Sequence, residues 1–194
     1  MRISTARQKK GSDPVRVITG LARGRKLSEP ADSAIRPTTD MVKEAIFNII
    51  QFDVEGRKVL DLFAGTGQLG IEALSRGAES CVFIDESAAA VKLIEKNLAA
   101  CELKGGKVSR AEALAFLGAA GKFDLIFLDP PYGTGLLEKA LERIQEFDKL
   151  NHGGIIISES PSNAEPPELS APYCKLKSYR YGKIRITTYT KRDN

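Results

Sequence analysis

At 194 residues, 42% hydrophobic and 28% charged, the chain is long enough for one full domain with a real core and one small appendage. No stretch is long and apolar enough to span a bilayer, and the basic start, Met1 to Lys10, lacks the apolar segment of a secretory signal. Cys81, Cys101 and Cys174 fit no zinc spacing and point to reduced thiols in a cytosol; a single histidine, His152, argues against a His-based triad or metal centre.

The net charge of +4 is unevenly spread. Residues 1–26 hold eight Lys or Arg and one acid, residues 175–194 hold seven and one, and the stretch between them is acidic. Two basic ends on an acidic body suggest a polyanionic partner met by the ends.

Residues 1–14 read as a mobile basic arm. Val15 to Leu27 alternates and is punctuated by Gly20 and Gly24, as in a hairpin carrying Arg16, Arg23, Arg25 and Lys26. Ser28 to Pro37 is a loop. Thr38 or Thr39 caps a helix whose Val42, Ile46, Ile49 and Ile50 share one face. Residues 15–52 thus form an N-terminal hairpin-and-helix extension, and 53–194 the main domain.

From there strand and helix alternate. Strands are expected at Val59–Leu62, Cys81–Ile84, Lys107–Ser109, Leu125–Leu128 and Gly154–Ser158. Helices are expected at Leu69–Ser75, Ala88–Ala100, Ala113–Leu117 and Leu136–Phe147. His152 falls in the loop Asn151-His152-Gly153-Gly154, and Ser160 to Pro172 is a long loop. Lys175–Tyr181 and Ile184–Tyr189 flank Gly182-Lys183 as an antiparallel hairpin. The alternation argues an α/β domain with a mainly parallel sheet.

Between the first strand and its helix, Gly65, Gly67 and Gly70 satisfy G-x-G-x-x-G, and Asp85 follows 20 positions after Gly65. Both features match a dinucleotide-binding fingerprint, so a nicotinamide-dependent oxidoreductase is one reading. Asp61 argues against it, because a carboxylate beside the glycine turn would repel a pyrophosphate. It suits a ligand with an ammonium, such as S-adenosylmethionine. Asp61 would pair with the ammonium, Asp85 with the ribose hydroxyls and Glu112 with the adenine amino group.

Asp129-Pro130-Pro131-Tyr132 follows the apolar run Phe123–Leu128. Two prolines remove two backbone donors and leave carbonyls, one carboxylate and one aromatic face. Such a corner accepts hydrogen bonds and stacks on a flat ring, which suits the exocyclic amino group of a nucleobase.

These motifs together resemble the RsmD family of bacterial small-subunit rRNA methyltransferases. The resemblance is carried by Asp61-Leu62-Phe63-Ala64-Gly65-Thr66-Gly67, by Leu69 to Ala78 and by Asp129-Pro130-Pro131-Tyr132. It extends to Arg16-Val17-Ile18-Thr19-Gly20, Arg23-Gly24-Arg25, Arg36-Pro37-Thr38-Thr39-Asp40 and Phe47-Asn48. It implies a Rossmann-like class I methyltransferase with a seven-stranded, mostly parallel sheet, using S-adenosylmethionine to methylate a guanine N2 in 16S rRNA. By the same resemblance Asp61, Phe63, Ala64, Gly65, Thr66, Gly67, Asp85, Glu112, Ala113 and Asp129 contact the cofactor. Asp129, Pro130, Pro131 and Tyr132 hold the base.

The expected RNA contacts are Arg16, Arg23, Arg25, Lys26, Arg36 and Thr38 at one end, and Arg180, Lys183 and Arg185 at the other, with Lys175 and Lys177 beside them. The partner is 16S rRNA or a small-subunit particle, with no metal and no membrane, and the protein is expected to be a cytoplasmic monomer. The chain departs from the family at Asp85 and Glu112, where each acid is exchanged for the other kind, at Gln68, which is bulky, and at Gly182-Lys183-Ile184. A DNA adenine-N6 or cytosine-N4 methyltransferase and a non-catalytic RNA-binding assembly factor are the other readings.

Overall fold

The computed structural model describes residues 15–29 and 40–192. Arg36, Pro37, Thr38 and Thr39, the 1–14 arm and most of the Ser28–Pro37 loop lie outside the described residues.

The elements run α1 (Asp40–Ile49), β1 (Lys58–Asp61), α2 (Gln68–Ser75), β2 (Ser80–Asp85), α3 (Ala88–Cys101) and β3 (Gly106–Arg110). They continue with α4 (Ala113–Ala119), β4 (Phe123–Leu128), α5 (Leu136–Glu146), β5 (Leu150–Pro161), β6 (Tyr173–Tyr181) and β7 (Ile184–Lys191). The seven strands form one sheet in the order β3-β2-β1-β4-β5-β7-β6. β1 to β5 are parallel, and β7 runs antiparallel between β5 and β6. The fold is α/β and Rossmann-like, with the expected closing hairpin.

Both faces of the sheet are covered, which is why its central strands are continuous apolar runs. Successive residues of β4 point to opposite layers. Leu125 and Phe127 pack with Val42, Ile46, Ile71 and Ile94 from α1, α2 and α3. Ile126 and Leu128 pack with Leu117, Leu141 and Ile144 from α4 and α5. The chain leaves β1 outward through β2 and β3, then returns to place β4 on the other side of β1. That reversal opens a crevice at the carboxyl ends of β1 and β4, where Asp61 and Asp129 lie.

β5 departs from the expected Gly154–Ser158. It starts at Leu150 and crosses a bulge, marked by the register shift between Phe123 and Leu125 and by Gly153 at φ +67°. His152 therefore sits in a bulged strand rather than in a loop. At its far end β5 continues to Pro161, because Glu159, Ser160 and Pro161 pair with Ile186, Arg185 and Ile184 of β7.

The 15–29 segment is hairpin-like, with one bridge, Arg16 to Lys26. Its Val15, Val17, Ala22 and Leu27 join the same core as α1, α2 and α3. Glu72 of α2, fully buried, accepts the N–H groups of Ile18 (2.7 Å) and Thr19 (3.0 Å) and holds Arg76 at 2.8 Å. Ser75 accepts from Ala22 N–H at 2.9 Å and donates to the Thr19 carbonyl at 2.6 Å. Asn97 of α3 binds both backbone groups of Ser28 and donates to the Thr66 carbonyl at 3.1 Å. One buried amide thereby ties the N-terminal extension to the glycine turn.

Candidate active site

A cleft of about 570 Å³ opens at the carboxyl edge of the sheet, over the ends of β1, β2 and β4. Asp61, Phe63, Ala64, Gly65, Thr66, Asp85, Glu112, Ala113, Asp129, Pro130, Pro131 and Tyr132 all line it. Every residue expected at the cofactor or the base thus lies on one cleft, with the exception of Gly67.

The three glycines have separate duties. Gly65 turns the chain at φ +53°. Gly67 stands behind the lining as the left-handed N-cap of α2, where a Cβ would meet Ile94 at 3.1 Å. A Cβ on Gly70 would fall 2.3 Å from the Phe83 ring, so this glycine lets α2 lie close to β2. Gly67, expected among the cofactor contacts, thus stands behind the cleft lining and supports it.

Asp61 is 3% exposed, and its Oδ2 accepts the Gly70 N–H at 3.0 Å. Burial raises its pKa to about 7; the Gly70 hydrogen bond opposes the rise, and the charges of Asp129 and Asp85 add to it. Asp85 accepts from Gly65 N–H at 2.9 Å and from Ser87 N–H at 2.8 Å, which fastens the end of β2 to the glycine turn. Glu112 is the N-cap of α4. Its carboxylate accepts from Leu114 and Ala115 at 3.0 and 2.6 Å, and its carbonyl from Phe116 at 3.0 Å. Each carboxylate oxygen has a second lone pair for a ligand. Of the first four N–H groups of α4, that of Ala113 is the one Glu112 does not take.

After β4 the turn holds itself. Thr134 Oγ1 donates to the Pro131 carbonyl at 2.7 Å, while among the described residues no such bond is made to the Pro130 carbonyl. Gly133 and Gly135 take φ of +75° and +70° as the chain enters α5. Tyr132, 44% exposed, lines the cleft.

Four lining residues fall outside the expected set and bear on the chemistry: Gln68, Glu86, Leu136 and Glu159. Glu159 is buried at 3% exposure on the far end of β5. Gln68 is buried as well, with an amide oxygen that has no hydrogen-bond partner. The cleft therefore carries six carboxyl groups, on Asp61, Asp85, Glu86, Glu112, Asp129 and Glu159, and no Lys, Arg or His among its described lining residues. A diphosphate at the start of α2 would face this group of carboxylates with no side-chain cation in the described lining to offset them, which weighs against the nicotinamide reading. A cationic nucleoside meets an unpartnered acceptor, several carboxylates and apolar walls. Among the described residues no group of three His, Cys, Asp or Glu is arranged to hold a metal ion, and no helix is long and apolar enough to cross a membrane.

The basic residues lie outside the cleft lining. Arg16, Arg23, Arg25, Lys26, Lys177, Arg180 and Lys183 are exposed, and Lys175 is half-buried. Arg16 and Arg25 sit in solvent-exposed pairs with Asp40 (3.9 Å) and Glu102 (3.4 Å), weak enough to exchange for another anion. Arg185 is a correction. It is 7% exposed, and its guanidinium donates to the Ser162 carbonyl at 2.9 Å and approaches Glu165 at 3.8 Å. β7 is an interior strand there, so Arg185 braces the 162–165 turn instead of facing an RNA backbone.

A family model described as "Conserved hypothetical protein 95" matches residues 15–190. The chain is 43% identical over 183 residues to the "Putative rRNA methyltransferase YlbH" of Bacillus subtilis, covering 92% of this chain and all of that one. It is 34% identical over 180 residues to "Ribosomal RNA small subunit methyltransferase D" of Escherichia coli K12, covering 92% and 91%. A solved structure, "Putative methyltransferase yhhF from Escherichia coli", superposes with a TM-score of 0.84 at 31% identity, over 93% of this chain and 99% of that one.

Proposed function

The chain belongs to the Conserved hypothetical protein 95 family, that of ribosomal RNA small subunit methyltransferase D, and we propose that it methylates the exocyclic N2 of a guanine in 16S rRNA, using S-adenosylmethionine. The observation that carries this reading is a cleft joining the glycine turn to Asp129-Pro130-Pro131-Tyr132, rich in carboxylates and without a cation among its described lining residues. The partner is then 16S rRNA or a small-subunit particle, and the work is cytoplasmic.

The residues present fit the cofactor. Asp61, Phe63, Ala64, Gly65 and Thr66 would hold its amino-acid end, with Asp61 opposite the ammonium. Asp85 would take the ribose, Glu112 and Ala113 the adenine. When bound, S-adenosylmethionine supplies a methyl group on a sulfonium, with a neutral thioether as leaving group.

The acceptor nitrogen is the harder part, because the guanine amino lone pair is delocalised into the ring. Asp129 and the Pro130 carbonyl each accept one N–H and fix the direction in which that lone pair points. Such orientation is worth up to roughly 7–11 kcal/mol in well-aligned systems. Tyr132 stacks on the base, contributing on the order of 1–3 kcal/mol. The target must be unpaired or extruded to reach this corner. No prior deprotonation is needed, since the nitrogen sheds its proton once alkylated. Arg16, Arg23, Arg25, Lys26, Arg180 and Lys183 hold the RNA backbone.

The test is a labelled-methyl assay on small-subunit particles from cells lacking the protein, followed by nucleoside analysis. Label in N2-methylguanosine supports the reading. Label in N6-methyladenosine or N4-methylcytidine, or none, contradicts it.

A further inference from the structure

Beside the cofactor cleft lies a second cavity of about 270 Å³, between the Tyr132–Leu137 turn and residues 159–167. The two linings share Pro130, Pro131, Tyr132, Leu136 and Glu159. Of these five, Glu159 alone carries charge. β4 and β5 are parallel in the register Leu128↔Ser158, so Asp129 and Glu159 are the next residues on neighbouring strands. Two carboxylates thus lie side by side where the cavities meet, Asp129 just past the end of β4 and Glu159 within β5. Like the cleft, the second cavity has no Lys, Arg or His in its described lining.

A flat ring reaching the cofactor cleft from the second cavity has to pass this junction. Proline and tyrosine faces pack on it, and an ionised carboxylate can only accept a hydrogen bond, never donate one. Guanine carries a ring N–H at N1 beside its N2 amino group. Adenine and cytosine carry a bare ring-nitrogen lone pair beside theirs, which would face the lone pairs of the acid. An acceptor opposed to an acceptor in a buried site loses the bond and leaves both groups desolvated.

We propose that Glu159 accepts the N1–H of the target guanine while Asp129 and the Pro130 carbonyl hold its N2 amino group, so that Glu159 makes this corner select guanine over adenine and cytosine. The inference rests on the guanine-N2 reading above. It assigns the two neighbouring acids different parts of one base edge: Asp129 orients the reacting nitrogen, and Glu159 reads the atom next to it.

The experiment compares substrate RNA, or reconstituted small subunits, carrying guanine or 2-aminopurine at the target position. 2-Aminopurine keeps the C2 amino group but has a lone pair at N1. The wild type should prefer guanine by at least about 100-fold in kcat/KM, as expected when a buried group is left without its partner. Glu159→Gln can turn an N–H towards N1 and should bring the ratio below about 10-fold, with a thermal unfolding curve checking that the variant is folded. A wild-type ratio near one overturns the inference whether or not the variant folds, as does an unchanged ratio in folded Glu159→Gln. If the wild type methylates no guanine at all, the underlying reading fails and this one with it. Guanine methylation with an indifferent Glu159 sinks the inference alone.

Discussion

The Asp61 carboxylate at the end of β1 accepts the N–H of Gly70, 3.0 Å away in the first turn of α2. Burial, only partly opposed by that bond, leaves a carboxyl group titrating near neutrality, at about 7, in a cleft of other acids. An ammonium placed against it would favour the ionised form. Cofactor binding at pH 7 should therefore release about half a proton per molecule bound, and affinity should fall about tenfold per pH unit below 6. Calorimetric titrations in buffers of different ionisation enthalpy measure the release directly. Binding with no proton released, and equally tight at pH 5.5 and 8, would place the ammonium elsewhere.

The same shift bears on the stability of the ligand-free protein. With its folded pKa raised above the unfolded value of 3.8, Asp61 keeps a proton in the native state that the unfolded chain gives up. Its contribution to stability is greatest below pH 4 and is lost as pH rises through about 7. Asp61→Asn should stabilise the ligand-free protein at pH 8, by up to about 4 kcal/mol, with little gain at pH 4. Unfolding midpoints of both proteins at the two pH values check the sign.

Glu72 gathers two backbone N–H groups and Arg76 in a fully buried position. Glu72→Ala should cost about 3–5 kcal/mol, because it strands the Arg76 charge and two amides at once. Amide exchange at Ile18 and Thr19 should accelerate more than exchange in β1. Gly20→Ala should loosen the same segment, since the new Cβ would lie 1.8 Å from the Ser75 carbonyl oxygen at φ +88°. Native-like exchange at residues 18–22 in both variants would show that this clamp is dispensable.

The tip held by that clamp presents Leu21, 85% exposed, next to Arg23 and Arg25. Replacing both arginines with alanine should weaken RNA binding and flatten its salt dependence by about 0.7–0.9 for each phosphate no longer neutralised. Arg185→Ala should act differently, lowering stability through the 162–165 turn without changing the salt slope. Binding isotherms at three salt concentrations separate the two behaviours.

Much of this was legible in the residues because the central strands are buried on both faces and punctuated by glycine turns. Val59–Leu62, Cys81–Ile84 and Leu125–Leu128 are apolar almost throughout, and each strand lies within a residue or two of its apolar run. The ends of β5 are different. The start at Leu150 pairs with Phe123 of β4 across a bulge, and the far end pairs with β7, some 25 residues away, so no local pattern announces either. Glu159 is hidden for the same reason: the polar stretch Ser158 to Pro161 looks like the start of a loop. Its one signal is positional, an acid on the neighbouring strand level with the carboxyl end of β4. Glu72 looks like a helix-surface residue in Gly70-Ile71-Glu72, and only the return of the 15–29 segment buries it. Gly67 and Arg185 show the converse. Motif and charge mark them as ligand-binding residues, while packing against Ile94 and the place of β7 inside the sheet give them structural work.

In the function proposed above, methyl transfer depends above all on Asp129 orienting the accepting amino nitrogen rather than building the cofactor's seat. Asp129→Ala separates these roles when single-turnover transfer to small-subunit particles is measured alongside equilibrium binding of S-adenosylmethionine. Transfer should fall at least about 1000-fold, with cofactor affinity within about tenfold of wild type. Near-native transfer, or a loss of transfer accounted for entirely by weakened cofactor binding, would contradict that role.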